Sequence, residues 1–169
     1  MGSALNGRHF RMVLIFFFLE ISLLSSCTHH NQTLKVNQPS ASICKEGTLD
    51  FVRFDESIKA SIEIEIADTP ETQMKGLMER NTLDDNSGML FVFKDPGPQK
   101  FWMKNTLVPL DIIFVGENGC IVNIVESAPP LSNQRYRSKG PVKYVVEVRA
   151  GFVKRFQIDT DTCIQWRRR

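Results

Sequence analysis

The segment FWMKNTLVPLDIIF, Phe101 to Phe114, sets a lysine, an amide and a carboxylate among side chains that prefer to leave water. Trp102, Lys104, Asn105 and Asp111, with Arg80 upstream, are the residues whose types could do chemistry. An aromatic plate beside an amide, an ammonium and a carboxylate suits a sugar, an amino acid or a peptide as ligand. Asp111 or Lys104 could also serve as a general acid or base if burial shifted its pKa. A purely structural reading competes. Asn105 and Thr106 would cap the turn that Pro109 stiffens, Asp111 would accept backbone N–H bonds from that turn, and Trp102 would belong to the core. Buried polar groups must be satisfied whatever the function, so both readings stay open.

Much of the catalytic repertoire is missing. The three histidines, His9, His29 and His30, all precede the folded region. This removes Ser-His-Asp and Cys-His catalysis and most zinc sites. No glycine loop follows a strand in the manner of a phosphate cradle, and no CxxC pair occurs. Asp111, Glu126 and Glu147 are too scattered to be read as a two-carboxylate hydrolase. No catalytic residue, metal or cofactor is therefore expected. The formal net charge of +2 on 169 residues gives no field that would favour nucleic acid.

The N-terminus carries the signature of export. Arg8 and Arg11 form a basic region before the apolar run Met12 to Leu19, and Leu24-Ser25-Ser26-Cys27 resembles a bacterial lipobox. The apolar stretch is too short for a spanning helix. Residues 1–26 read as a lipoprotein signal peptide, Cys27 as the lipidated residue, and 27–56 as a flexible polar tether. The expected location is the cell envelope, facing the periplasm or the exterior, with the lipid on Cys27 holding the protein to the membrane. Cys44, Cys120 and Cys163 then remain. A Cys44–Cys163 bridge would staple the arm to the last strand; the alternative is three unpaired thiols.

The elements that must position the candidate residues lie in 57–169. Ile58 to Ile66 alternates, with Ile62, Ile64 and Ile66 on one face and Glu63 and Glu65 on the other, and predicts a half-buried strand. Thr69 as N-cap and Pro70 at the first position predict a helix to about Met78, with Met74, Leu77 and Met78 inward. Gly88 to Phe93 reads as a doubly covered strand, and Asp95 to Pro98 as a turn. Phe101 to Met103 and Leu110 to Val115 are further strands, the latter joined by Gly116-Glu-Asn-Gly119 to Ile121–Val125 as a hairpin. A long loop from Glu126 to Pro141, a strand from Val142 to Val148, a helical turn near Phe156 and a last strand over Cys163 to Trp166 complete the set. About seven strands with one or two short helices predict a mainly β fold, a small closed or half-closed barrel.

MKGLMER, GMLFVF, DPGP, KFWMKNTLVPLDIIFV and the following G-x-I-V-N-I closely resemble the bacterial and archaeal family known as domain of unknown function 192. The resemblance covers Ile62 to Ile164 and implies a small β-rich barrel with no established activity, in a family that includes exported members. Cys120 stands where the family usually has a polar residue, and Thr160-Asp161 where many members have Gly-Asp.

The expectation is a lipid-anchored, non-enzymatic binding module of the envelope for a small molecule, glycan or peptide. The alternatives are an enzyme using Asp111 or Lys104, and an adaptor whose loop Pro129 to Lys139 meets an envelope protein. Arg135 to Lys139 and Arg167 to Arg169 read as solvated basic faces, or as contacts to anionic lipid headgroups.

Overall fold

The computed structural model describes residues 45–169. The signal segment, Cys27 and Cys44 lie outside them. Seven strands form one mixed sheet: β1 (Gly47–Arg53), β2 (Ile58–Ala67), β3 (Ser87–Gly97), β5 (Leu110–Val115), β6 (Ile121–Ala128), β8 (Val142–Arg149) and β9 (Thr162–Arg168), with β4 (Lys100–Phe101) and β7 (Tyr136–Arg137) as a separate ribbon. The order across the sheet is β6-β5-β8-β3-β2-β1-β9. The sheet curls into a half-barrel, and its two edge strands meet at a Cys120–Cys163 bridge.

Residues of opposite parity along the strands feed two cores. Leu49, Ile62, Ile64, Ile66, Leu90, Ile113, Val146 and Val148 fill the concave side, plugged by α2 (Phe152–Phe156) through Phe152 and Val153. Met89, Phe91, Ile112, Phe114 and Val145 face the other way. There they are covered by the segment around α1 (Pro70–Lys75), which supplies Leu77, and by the 101–109 segment, which supplies Met103. That two-sided coverage is why β5 is buried at every position, Asp111 included.

β2 and β3 run parallel, so the chain must cross over between them, and α1 lies in that crossover. Thr69 caps α1 as expected, through a capping box with Thr72. The helix is shorter than expected because Gly76 leaves it at φ +48. Leu77 therefore turns inward beyond the helix end, while Met74 is 78% exposed rather than buried.

Four further expectations change. β1 lies inside the segment read as tether, because Leu49 and Phe51 alternate with Thr48 and Asp50 and insert between β2 and β9. Asp95–Gly97 continues β3 past an irregularity at Val92/Gly97 instead of forming a free turn. The long loop after β6 contains β7, which pairs with β4. Cys163 is bonded to Cys120, not to Cys44, because the topology brings the start of β6 against β9. Gly119 completes that junction, its carbonyl accepting from the Ile164 amide at 2.7 Å.

Candidate functional site

The 101–109 segment is held at both ends by backbone bonds. Met103 N–H donates to Ser132, Leu131 N–H to Thr106, and Glu79 N–H to Asn105 at 2.7 Å. Asn105 sits at φ +56, a conformation that asparagine tolerates better than most residues. Phe101 packs edge-on against Phe91 at 4.8 Å and Phe114 at 6.0 Å. With Phe101 and Met103 fixed below, Trp102, Lys104 and Asn105 face outward.

These three line an open groove of about 500 Å³ whose opposite wall is α1, through Met74 and Lys75, and the turn after it, through Met78. The walls are mainly apolar, and the rim carries Lys75 and Lys104 together with one carboxylate, Glu71. Arg135 lies over the Trp102 ring with its guanidinium carbon 3.9 Å from the centroid, and Lys104 Nζ is 5.2 Å away. Arg135 stays exposed, as expected of its segment, while stacking on Trp102. Among the described residues, none of Lys75, Lys104 and Arg135 makes an ion pair, whereas Arg80, Arg149, Arg155 and Arg167 to Arg169 all do.

Below the groove, sharing Met74, Lys75, Met78 and Trp102 as walls, is a small cavity of about 30 Å³. Glu147 of β8 forms part of its lining. The residue is 4% exposed and its neighbours across the sheet are Met89 and Ile112. Gly76 sits over it: a Cβ there would come 4.0 Å from Glu147 Oε2 and 3.3 Å from the Phe91 ring. No hydrogen bond or cation offsets the burial, which pushes the carboxyl up to about 8.

Asp111 is on the other side of the sheet. Fully buried, its Oδ1 accepts from Ser127 N–H at 2.8 Å, and its Oδ2 from Gly151 and Val153 N–H at 3.0 and 2.9 Å. Gly151 offers α2 no side-chain cap, so Asp111 caps that helix from the neighbouring strand. The structural reading therefore holds for Asp111, although its partners are the β6 end and α2 rather than the Asn105–Pro109 turn. Arg80 is also apart from the groove, paired with Glu65 of β2. Of the five sequence candidates the fold joins Trp102, Lys104 and Asn105, and separates Arg80 and Asp111. Sequence reasoning passed over Glu147 as one scattered carboxylate; the signal was its place in the apolar run VKYVVEV.

The structure is thus a disulfide-closed β half-barrel carrying an aromatic groove on its convex face. The chain belongs to the DUF192 family, described as an uncharacterized ACR, whose profile matches residues 52–166. Two solved structures resemble it. One, from Sinorhizobium meliloti 1021, is described provisionally as a transcription regulator; it is 33% identical, with a TM-score of 0.69, over 72% of this chain and 93% of that one. The other, a protein of unknown function from Novosphingobium aromaticivorans DSM 12444, is 34% identical, with a TM-score of 0.67, over 70% and 84% of the two chains. No curated protein matches the chain.

Proposed function

We propose that the protein is a lipid-anchored binding module of the cell envelope, tethered through Cys27, whose Trp102 groove takes a small anionic molecule with an apolar body. The observation that carries the binding reading is the groove itself. Apolar walls from Met74, Met78 and Trp102 stand under three cations, Lys75, Lys104 and Arg135, which make no ion pair among the described residues and outnumber the one carboxylate of the groove, Glu71. A buried apolar body with one peripheral charge satisfies both features. Lys104 and Arg135 engage the anion, and Trp102 stacks on the body.

Two features support the envelope. The lipobox-like Leu24-Ser25-Ser26-Cys27 follows a short apolar run. The Cys120–Cys163 disulfide suits an oxidising compartment, where such bonds persist. Binding is favoured over catalysis because Asp111, one of the two candidate acids or bases, is committed to three backbone N–H groups on the far face, which leaves Lys104 without it. A nucleic-acid role, which the Sinorhizobium protein's description would suggest, is less favoured. Arg167, Arg168 and Arg169, which could meet phosphates, are paired with Asp50, Asp68 and Glu63.

Metabolic labelling with palmitate in cells tests the anchor. The full chain is expected to incorporate label and fractionate with membranes, and Cys27→Ser to do neither. An unlabelled, soluble wild type would remove the anchor from the proposal while leaving the groove to be tested in solution.

A further inference from the structure

We infer that the cavity beneath the groove is the inner half of the same site, with the Glu147 carboxyl donating its O–H to a hydrogen-bond acceptor at the buried end of the ligand. The inference rests on the reading of the groove as an anion-binding site and adds the ligand's second recognition element.

A carboxyl buried to 4% exposure without a hydrogen-bond partner is costly, and native proteins place few such groups. Nothing in the fold requires this one. Its neighbours in the sheet, Met89 and Ile112, are apolar, so an apolar residue would continue the strand's packing without an unpaired polar group. Nor is the group sealed in. It faces a cavity of about 30 Å³ that shares four residues with the open groove, enough space for a small group such as a carbonyl with its methyl. Burial keeps the carboxyl protonated at neutral pH, which makes it a donor as well as an acceptor.

The chemistry then divides along the depth of the site. At the mouth, Lys75, Lys104 and Arg135 outnumber Glu71 and favour an anion. At the floor, a neutral acid repels an anion less than a carboxylate would, but it rewards an uncharged acceptor such as a ketone, ester or amide oxygen. Between them lie Trp102, Met74 and Met78. The ligand class is an oxo-acid or acyl-acid: a carboxylate separated by an apolar spacer from a carbonyl.

Para-acetylbenzoate and para-isopropenylbenzoate form a matched probe pair, because the second replaces the carbonyl oxygen with a methylene of similar shape. Calorimetric titration of the disulfide-intact protein should show the acetyl compound binding about tenfold more tightly, the value of one buried hydrogen bond. Glu147→Leu should abolish the preference by weakening only the acetyl compound, and Glu147→Gln, which keeps an N–H donor, should retain part of it. Equal affinities for the two probes in the wild type, unchanged in Glu147→Leu, would overturn the role of Glu147 and leave the groove intact. If neither probe binds the wild type, the anion-binding reading itself fails, and the inference with it.

Discussion

Glu147 and Asp111 are two carboxylates in apolar strands whose surroundings give them opposite roles. Asp111 has three N–H donors and acts as a fixed acceptor; Glu147 has none and is held neutral. The consequences for stability also differ. Glu147 titrates near 4.5 when unfolded and about 8 when folded. Below the lower value both states hold the proton and stability is full. Between the two values the unfolded chain releases a proton that the folded chain keeps, so stability falls as pH rises, by about 1.4 kcal/mol per unit, and levels off above the higher value. The nearby charges are Lys75 beside the cavity, Glu71 and Lys104 in the groove above it and, beyond Met89 in the sheet, Glu65 with its partner Arg80. Urea denaturation at about pH 5 and about pH 8 should therefore show a loss of a few kcal/mol in the wild type that is largely absent in Glu147→Leu. For Asp111→Ala the expected result is a loss of about 3–6 kcal/mol, from three buried N–H groups left without an acceptor. Asp111→Asn should recover part of that loss and leave probe binding unchanged, since the residue lies on the far face of the sheet.

At the level of elements, the groove exists because α1 ends early. Gly76 at φ +48 stops the helix, turns Leu77 into the core and leaves Met74 facing the Trp102 wall. Gly76→Ala strains that backbone and pushes a methyl group toward Phe91. It should cost about 1–2 kcal/mol in thermal unfolding and weaken probe binding more than a surface alanine substitution elsewhere on α1. How far the sequence disclosed these elements follows from the range of each signal. Period-two alternation made β2 and the β5–β6 hairpin legible, and Thr69-Pro70 marked the start of α1, because those signals act within a few residues. β1 carried the same alternation in TLDFVR but sat beside a polar spacer that masked it. The two-residue strands β4 and β7 are defined only by each other. Trp102, Lys104 and Asn105 could be grouped because they are adjacent in sequence. The sequence could not reveal that Asp111 lies on the opposite face, since that depends on the parity of a fully buried strand. Arg135 and Glu147 join the site from loops and strands distant in the chain, and no local pattern records this.

For the whole molecule, the disulfide closes the curl of the sheet. Cys120 and Cys163 are 43 residues apart in sequence and connect the two edge strands, β6 and β9, which otherwise share few contacts. Bridging a loop of that length contributes about 4 kcal/mol by restricting the unfolded chain. Reduction, or the Cys120→Ser and Cys163→Ser double variant, should lower stability by up to about that amount while β1 to β3 stay protected from hydrogen exchange longest. Equal stability of the oxidised and reduced proteins would show that the edges hold without it.

The central claim is that the groove beside Trp102 binds an anion with an apolar body. Trp166, packed on Tyr144, is the other tryptophan, so in Trp166→Phe the emission reports Trp102 alone. Titrating that protein with para-acetylbenzoate should quench the emission along a saturating curve. The apparent affinity should fall about tenfold or more when Lys104 and Arg135 are both replaced by alanine, and fall again at high salt as the charge interaction is screened. A linear, non-saturating quench that is identical with and without those two cations would contradict the claim.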